Sequence, residues 1–338
     1  MRVLLVKTSS MGDVVHTLPA LTDAAQALPG IQFDWVVEEA FQAIPAMHPA
    51  VADVLPVALR RWRKHPLRTW RSGEWRQFRE RLQAQTYDRV IDAQGLIKSA
   101  FLTRRARGEK HGLDKASARE GWSARALDVA HAVPREQHAI SRVRQLFADA
   151  LGYALPDTAP DYGVQAHGSA AGNRLVFFHG TTWPTKHWPM DYWRRLAGQA
   201  TEAGYEVLLP HGDDMEKQRA EAIAAGNPGA RVMPRMPLGT LIETLQALDG
   251  FVAVDTGLAH LAAAAGLPGV ALYGPTDPSL TGVLGARARS LSAAFPCAPC
   301  VQEQCTYRGD QGAPVQPPCF STLPPETVWG AFREVMGP

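Results

Sequence analysis

The chain opens 1-MRVLLVKTSSMGDVVHTLPAL-21. A strand-forming run from Arg2 to Val6 breaks at Ser9-Ser10-Met11-Gly12-Asp13, and a helical pattern follows. Strand, polar loop and helix in that order form the opening unit of a parallel sheet. Loops of this kind commonly hold an anion on free backbone N–H groups, which makes an acid at Asp13 unexpected.

The same unit recurs. Compact apolar or β-branched runs stand at 33-FDWVVEE-39, 88-DRVIDAQ-94, 174-RLVFFHG-180, 205-YEVLLPHG-212, 251-FVAVDTG-257 and 269-GVALYGP-275. Helical patterns such as 190-MDYWRRLAGQATEAG-204 alternate with them. The pattern stops across 154-ALPDTAPDYGVQAHGSAAGN-173 and then restarts. This predicts an α/β protein of two doubly wound, Rossmann-like parallel-sheet domains, residues 1–160 and 161–338, facing a cleft. The last helix is a candidate to pack back on the first domain. Chemistry is expected in the loops that follow the strands.

Composition narrows the class. With 338 residues, 46% hydrophobic and 20% charged, the chain reads as an ordinary globular protein with room for two cores. No apolar run approaches the ~18 residues of a membrane span, and the N-terminus lacks a signal-peptide layout, so the chain reads as cytosolic. The first loop has a single glycine, neither G-x-G-x-x-G nor G-x-x-x-x-G-K-[ST], which argues against an NAD-dependent epimerase or dehydrogenase and against a P-loop NTPase. The net charge of +2 hides a contrast. In 60-RRWRKHPLRTWRSGEWRQFRER-81 nine Lys/Arg face Glu74 and Glu80, a local +7 that leaves −5 elsewhere. Trp62, Trp70 and Trp75 interleave with those charges. The segment could suit a nucleic acid, but the near-zero net charge and the lack of a recognition motif oppose that reading. A solvated basic helix face is the plain alternative.

Three loops carry candidate chemistry. Asp13 reads either as a helix cap or as a free loop carboxylate, depending on whether the helix starts at Asp13 and kinks at Pro19 or starts near Thr17. In 179-HGTTWPTKHWP-189, Thr181, Thr182 and Lys186 offer hydroxyls, amides and a point charge suited to a diphosphate, although Lys186 also reads as a solvated lysine. In 254-VDTGLAHLAAAAG-266, Gly257 begins a helix whose free amides favour an anion. Asp255 there could accept hydroxyls, and His260 is either a ligand or a satisfied helix histidine. The turn 273-YGPTDP-278 follows.

The orders K-T-S-S-M-G-D-V-x-H-T-L-P-A-L at the N-terminus, D-A-Q-G-L-x-K-S-A at 92–100, K-H-W-P at 186–189, V-D-T-G-L-x-H-L at 254–261 and Y-G-P-T-D-P at 273–278 resemble glycosyltransferase family 9. The segments 34-DWVVEEAF-41, 60-RRWRK-64 and 110-KHGLD-114 point to its branch that adds the first heptose of the lipopolysaccharide inner core. The branch that adds the second heptose is the nearest rival. The resemblance covers residues 1 to about 280. It implies a GT-B fold and metal-independent inverting transfer from ADP-heptose to Kdo2-lipid A, by a cytoplasmic protein held peripherally at the inner membrane, without nucleic acid. It also implies that Asp13 is the general base and that Lys186, with Thr181, Thr182, Thr256 and Gly257, meets the leaving diphosphate. Glu216 would hold the ribose, the backbone near Met236 the adenine, and Asp255 and His260 the donor sugar and diphosphate. Ser10, Arg60, Arg61, Arg63, Arg119 and Arg142 are the acceptor-side candidates. Basic and Trp residues suit an anionic membrane surface.

All four cysteines fall in 297-CAPCVQEQCTYRGDQGAPVQPPC-319, spaced C-x2-C-x4-C-x13-C. Structural zinc, reduced thiols and disulfides stay open at this point. The spacing is not that of a standard zinc knuckle. The pattern of the first-heptose branch lacks the cluster, whereas it resembles clusters of the second-heptose branch, which the cysteines favour and the N-terminal two-thirds oppose.

Overall fold

The computed structural model describes residues 1–164, 172–309 and 315–337. The linker positions 165–171 and the side chain of Trp70 lie outside the described residues. The chain divides into two compact units, Met1–Val164 and Gln165–Pro338.

The first unit holds β1 (Arg2–Val6), β2 (Gln32–Glu38), β3 (Val51–Val57), β4 (Thr86–Asp92), β5 (Arg107–Leu113) and β6 (Val129–His131). They form one sheet in the order β3-β2-β1-β4-β5-β6, and every described pairing is parallel. The second unit holds β7 (Arg174–Phe178), β8 (Glu206–Leu209), β9 (Ala230–Val232), β10 (Gly250–Val254), β11 (Gly269–Tyr273) and β12 (Ala288–Ser292). Their order is β12-β11-β10-β7-β8-β9, again parallel. Read from its first strand, each sheet has the same doubly wound order. Crossovers leave in opposite directions between β1 and β4 and between β7 and β10, and each divergence opens a crevice at the strand ends.

Central strands are mostly buried, as sheets covered on both faces require. All five residues of β10 and of β11 are buried. The second core gathers Phe177, Trp188, Trp193, Phe320 and Phe332 around these strands. The first gathers Leu4, Val6, Val36, Val90, Phe78 and Leu82. The sequence pattern missed β3, β5, β6, β9 and β12. β3 is an edge strand carrying Pro56, which only an edge tolerates, and β5 reads RGEKHGL, too polar to stand out.

The last helix, Pro325–Met336, packs against β11, β12 and the helix Met190–Glu202 of its own unit, and Pro325, Val328, Ala331 and Phe332 are buried on it. The start of the supposed linker belongs to the first unit: Tyr162 is buried, and Arg144, paired with Asp23 at 2.6 Å, donates to the Thr158 carbonyl at 2.8 Å.

Two buried histidines make stability depend on pH. Burial lowers His48 and His179 from 6.5 to about 4; Asp161 opposes this weakly at His48, and Arg219 reinforces it at His179. Below 6.5 the unfolded chain takes up protons that the fold refuses. The stability these groups contribute is therefore full above pH 6.5 and lost as pH falls toward 4. The expected loss across that window is on the order of 1–3 kcal/mol. Measured as Tm against pH, the slope should flatten in His48→Gln and His179→Gln; an unchanged slope would assign the acid sensitivity to other groups.

Candidate active site

In the first unit the loop after β1 is sewn to the loop after β4 across the divergence. Lys7 is buried and its Nζ donates to the Ala93 carbonyl at 2.9 Å. The Oε1 of Gln94 accepts the N–H groups of Thr8 and Ser9 at 2.9 and 3.1 Å. Buried Asp92 holds Gln94 in turn, accepting the N–H groups of Gln94 and Gly95 at 2.9 and 3.1 Å. Lys98 Nζ donates to Ser9 Oγ at 2.7 Å. Burial, then Arg60, lowers the pKa of Lys98, while Glu38 and Asp13 oppose the shift.

Asp13 follows the helix-cap reading and lies inside the helix, not in a free loop. The helix begins at Met11, earlier than either expected start, and ends at Val15; a second helix, Leu18–Ala27, carries Pro19 in its first turn. Asp13 Oδ2 accepts the Ser10 N–H at 2.7 Å and the Ser10 hydroxyl at 2.8 Å, so the carboxylate does cap the helix start. Its Oδ1 stands 3.9 Å from Lys7 Nζ, and 42% of the side chain is exposed. The result is a carboxylate oriented by its neighbours and reachable by solvent. Ser10, read as an acceptor contact, spends its hydroxyl on Asp13.

The basic segment folds as three helices, Leu59–Lys64, Pro66–Ser72 and Glu74–Leu82. Several of its residues are not as free as their charges suggested. Arg61 is held by Glu39 at 3.0 Å and by Glu74 at 2.8 Å, and these hydrogen bonds raise its pKa. Trp62 donates to Glu74 Oε2 at 2.8 Å, and Trp62 and Trp75 pack with Phe78 against the core. Those two tryptophans serve folding rather than an interface. Arg142 is committed to the carbonyls of Pro134 and Ser117 at 3.0 and 2.8 Å, so it positions a loop and is not an open cation. Arg60, Arg63 and Arg119 remain exposed.

In the second unit the loop after β7 meets the loop after β10. Lys186 Nζ forms an ion pair with Asp255 Oδ2 at 2.7 Å and lies 4.6 Å from the centre of the Trp183 ring. Thr276 donates to the same Asp255 oxygen at 2.7 Å, and Thr181 donates to the Asp255 carbonyl at 3.1 Å. Asp255, expected to meet substrate hydroxyls, holds Lys186 through the same carboxylate. The helix Gly257–Ala264 begins beside this pair, and its Thr256 cap makes no side-chain hydrogen bond, which leaves first-turn amides available. His260 is buried on that helix, as the satisfied-histidine reading had it.

Glu216 reaches the same strand ends from the helix Asp214–Ala224, which is capped by Asp213. Its Oε2 accepts the Gly212 N–H at 2.6 Å, and Oε1 lies where a side chain on Gly180 would begin. Only glycine at 180 admits it. Met236 is half-buried in the loop after β9, with Thr244 Oγ1 at 3.9 Å from its sulfur, and Thr182 is exposed. The sequence reading missed Lys7, Gln94, Lys98 and Thr276. Each stands in a quoted motif, but polarity alone does not show which partner a side chain meets.

The family model for glycosyltransferase family 9 (heptosyltransferase) matches residues 75–309. The chain is 53% identical over 340 residues to lipopolysaccharide heptosyltransferase 1 of Pseudomonas aeruginosa, covering 97% of this chain and 96% of that one. The solved structure of E. coli heptosyltransferase WaaC with ADP matches at a TM-score of 0.83 and 49% identity, covering 87% of this chain and 93% of that one. The same enzyme with ADP-2-deoxy-2-fluoro heptose matches at 0.80 and 48%, with the same coverage. Likeness to lipopolysaccharide heptosyltransferase 2 of E. coli K12 is 34% and confined to 111 residues, 31% of this chain and 32% of that one.

Gly180→Ala tests how tightly the second set is built. The added methyl meets the flexible end of Glu216, so the variant should fold with a loss of about 1 kcal/mol or less while the carboxylate leaves the Gly212 N–H. A crystal structure of the variant with Glu216 unmoved, or a stability loss of several kcal/mol, would contradict this packing.

Proposed function

Since the chain belongs to glycosyltransferase family 9, it is a glycosyltransferase, and we propose that it moves heptose from ADP-heptose onto a Kdo residue of Kdo2-lipid A in lipopolysaccharide core synthesis. The carrying observation is the likeness, over nearly the full length, to a heptosyltransferase 1, together with two built charge sets at the two sheet divergences. The short match to a heptosyltransferase 2 argues against the second-heptose reading.

The chemistry follows from these groups. The acceptor hydroxyl attacks the anomeric carbon and gives its proton to Asp13, held by Ser10 for that role. The bond from the anomeric carbon to the diphosphate oxygen breaks with its electron pair moving to that oxygen, and configuration inverts. Charge gathering on the departing ADP meets Lys186, the hydroxyls and amides of Thr181 and Thr182, and the amides at Thr256 and Gly257. Asp255, itself held by the Thr276 hydroxyl, fixes Lys186 in one of the many rotamers its stem allows. Glu216 offers its carboxylate to the ribose hydroxyls and the chain near Met236 meets the adenine. The Lys186 ammonium and the loop hydroxyls and amides supply the stabilisation that a metal would otherwise give, so transfer is metal-independent. In a transfer assay with ADP-heptose and Kdo2-lipid A, brief chelator treatment should leave the rate unchanged. Asp13→Asn should lose ~10²–10⁴ in kcat. Full activity in that variant would reject Asp13 as the base.

On the acceptor side Arg60, Arg63 and Arg119 are the exposed cations for Kdo carboxylates and lipid A phosphates. A peripheral position on the cytoplasmic face of the inner membrane is supported by apolar residues displayed near basic ones: Leu67 (75% exposed), Ile97 (58%), Phe101 (45%) and Trp122 (65%). Arg105 lies over Phe101 and Arg125 over Trp122, at 3.4 and 3.8 Å from the ring centres. No helix of the described residues is long and apolar enough to cross a membrane. Neutralising Arg60 and Arg63 together should raise the acceptor KM at least ~10-fold with the donor KM unchanged. Arg61→Ala should chiefly lower Tm, and Leu67→Ser with Trp122→Ser should weaken sedimentation with anionic vesicles. Unaltered acceptor kinetics and vesicle binding in these variants would exclude this surface as the acceptor and membrane face.

A further inference from the structure

The four cysteines have no part in the transfer chemistry, yet they are placed with care. In a chain of 338 residues all four fall within 297–319, and none is in a disulfide. All four line one small cavity together with Thr185 and Gly274. Packing explains only Cys319, which is buried. Cys297 and Cys305 are exposed and Cys300 is half-buried, whereas a cysteine that merely fills space is among the most buried of residues.

The cavity lies directly behind the loops that carry the donor-side charges. Thr185, next to Lys186, donates its hydroxyl to the Gln302 carbonyl at 2.6 Å. Val301 donates its N–H to the Pro275 carbonyl at 2.7 Å, one residue before Thr276. A side chain on Gly274 would begin 3.1 Å from Cys319 Sγ and 2.7 Å from the Phe320 ring, so the cysteine segment presses on the 273–278 turn. Val301, beside Cys300, sits at φ +52°, a left-handed conformation that a β-branched residue adopts only when something holds it there.

We propose that Cys297, Cys300, Cys305 and Cys319 form a tetrathiolate site for one thiophilic transition-metal ion, zinc or iron, that clamps the Lys186 loop and the 273–278 turn from behind. Four sulfurs at one locus select such an ion. Among the described residues no three His, Cys, Asp or Glu side chains stand close enough to hold an ion as placed, so binding draws the thiols inward across the cavity they share. Four thiols release their protons as four metal–sulfur bonds form, and no redox change occurs. The clamp role rests on the donor-site reading above; ion binding does not.

The test uses the full chain, purified under reducing, anaerobic conditions without a metal-affinity column. Elemental analysis should find one equivalent of zinc or iron, and which one identifies the ion. Titration of the wild type with a mercurial should release it only as about four thiols react. Cys300→Ser and Cys305→Ser should abolish the stoichiometric metal and lower Tm. Protein stripped of metal and re-reduced should show a donor KM raised about tenfold or more with the acceptor KM unchanged, restored by the ion. Absence of both metals, before and after reconstitution with zinc or ferrous iron, overturns the site. So does full metal content in both serine variants. If those variants do not fold, the mercurial titration of the wild type decides the matter alone. A stripped, folded protein with unchanged donor KM overturns the clamp. The metal count reads out even if ADP-heptose proves not to be the donor.

Discussion

In each sheet the chain leaves its first strand on one side and reaches the fourth from the other. Two loops at the carboxyl ends of neighbouring strands therefore diverge, and the crevice between them cannot be filled by a crossover helix. The rest of the chemistry depends on that constraint. The loops after β1 and β4 meet through Lys7, Gln94 and Lys98, and those after β7 and β10 through Lys186, Asp255 and Thr181. Each pair of loops is joined by polar side chains because water can still reach the crevice, while the strands beneath are apolar because water cannot.

The two crevices carry opposite working charges by the same method. In the first unit a carboxylate is oriented by hydroxyl and amide donors and stands near a buried ammonium. In the second an ammonium is oriented by a carboxylate, which a threonine hydroxyl holds in turn. A flexible side chain bound on one side loses its alternative rotamers before substrate arrives, so less ordering remains to oppose the reaction. Asp255 supports Lys186 in this way.

The basic segment shows how far counting charges can mislead. Its +7 is real as a sum, yet Arg61 is neutralised in place by Glu39 and Glu74. Trp62 and Trp75 turn inward to the core, because an indole gains more from burial beside Phe78 than from solvent. What remains for a partner is smaller and differently located: exposed arginines, with Ile97, Phe101 and Trp122 on a neighbouring helix and turn.

The sequence by itself settled the things that depend on local order. Alternating apolar runs and polar loops specified two parallel α/β units, and the loops after β1, β7 and β10 drew attention by their polar residues. Motif order pointed to Asp13 and Lys186, and Glu216 came only with the family resemblance. The tertiary structure alone decided what each side chain touches. The short or polar strands β5, β6 and β9 exist because neighbouring strands offer them backbone partners, which no pattern within the strand records. The contacts of Asp255, Arg61 and Arg142 were each set by a partner contributed by another element or turn. A side chain's charge is written in the sequence, whereas its freedom depends on what folding places within about 3 Å of it.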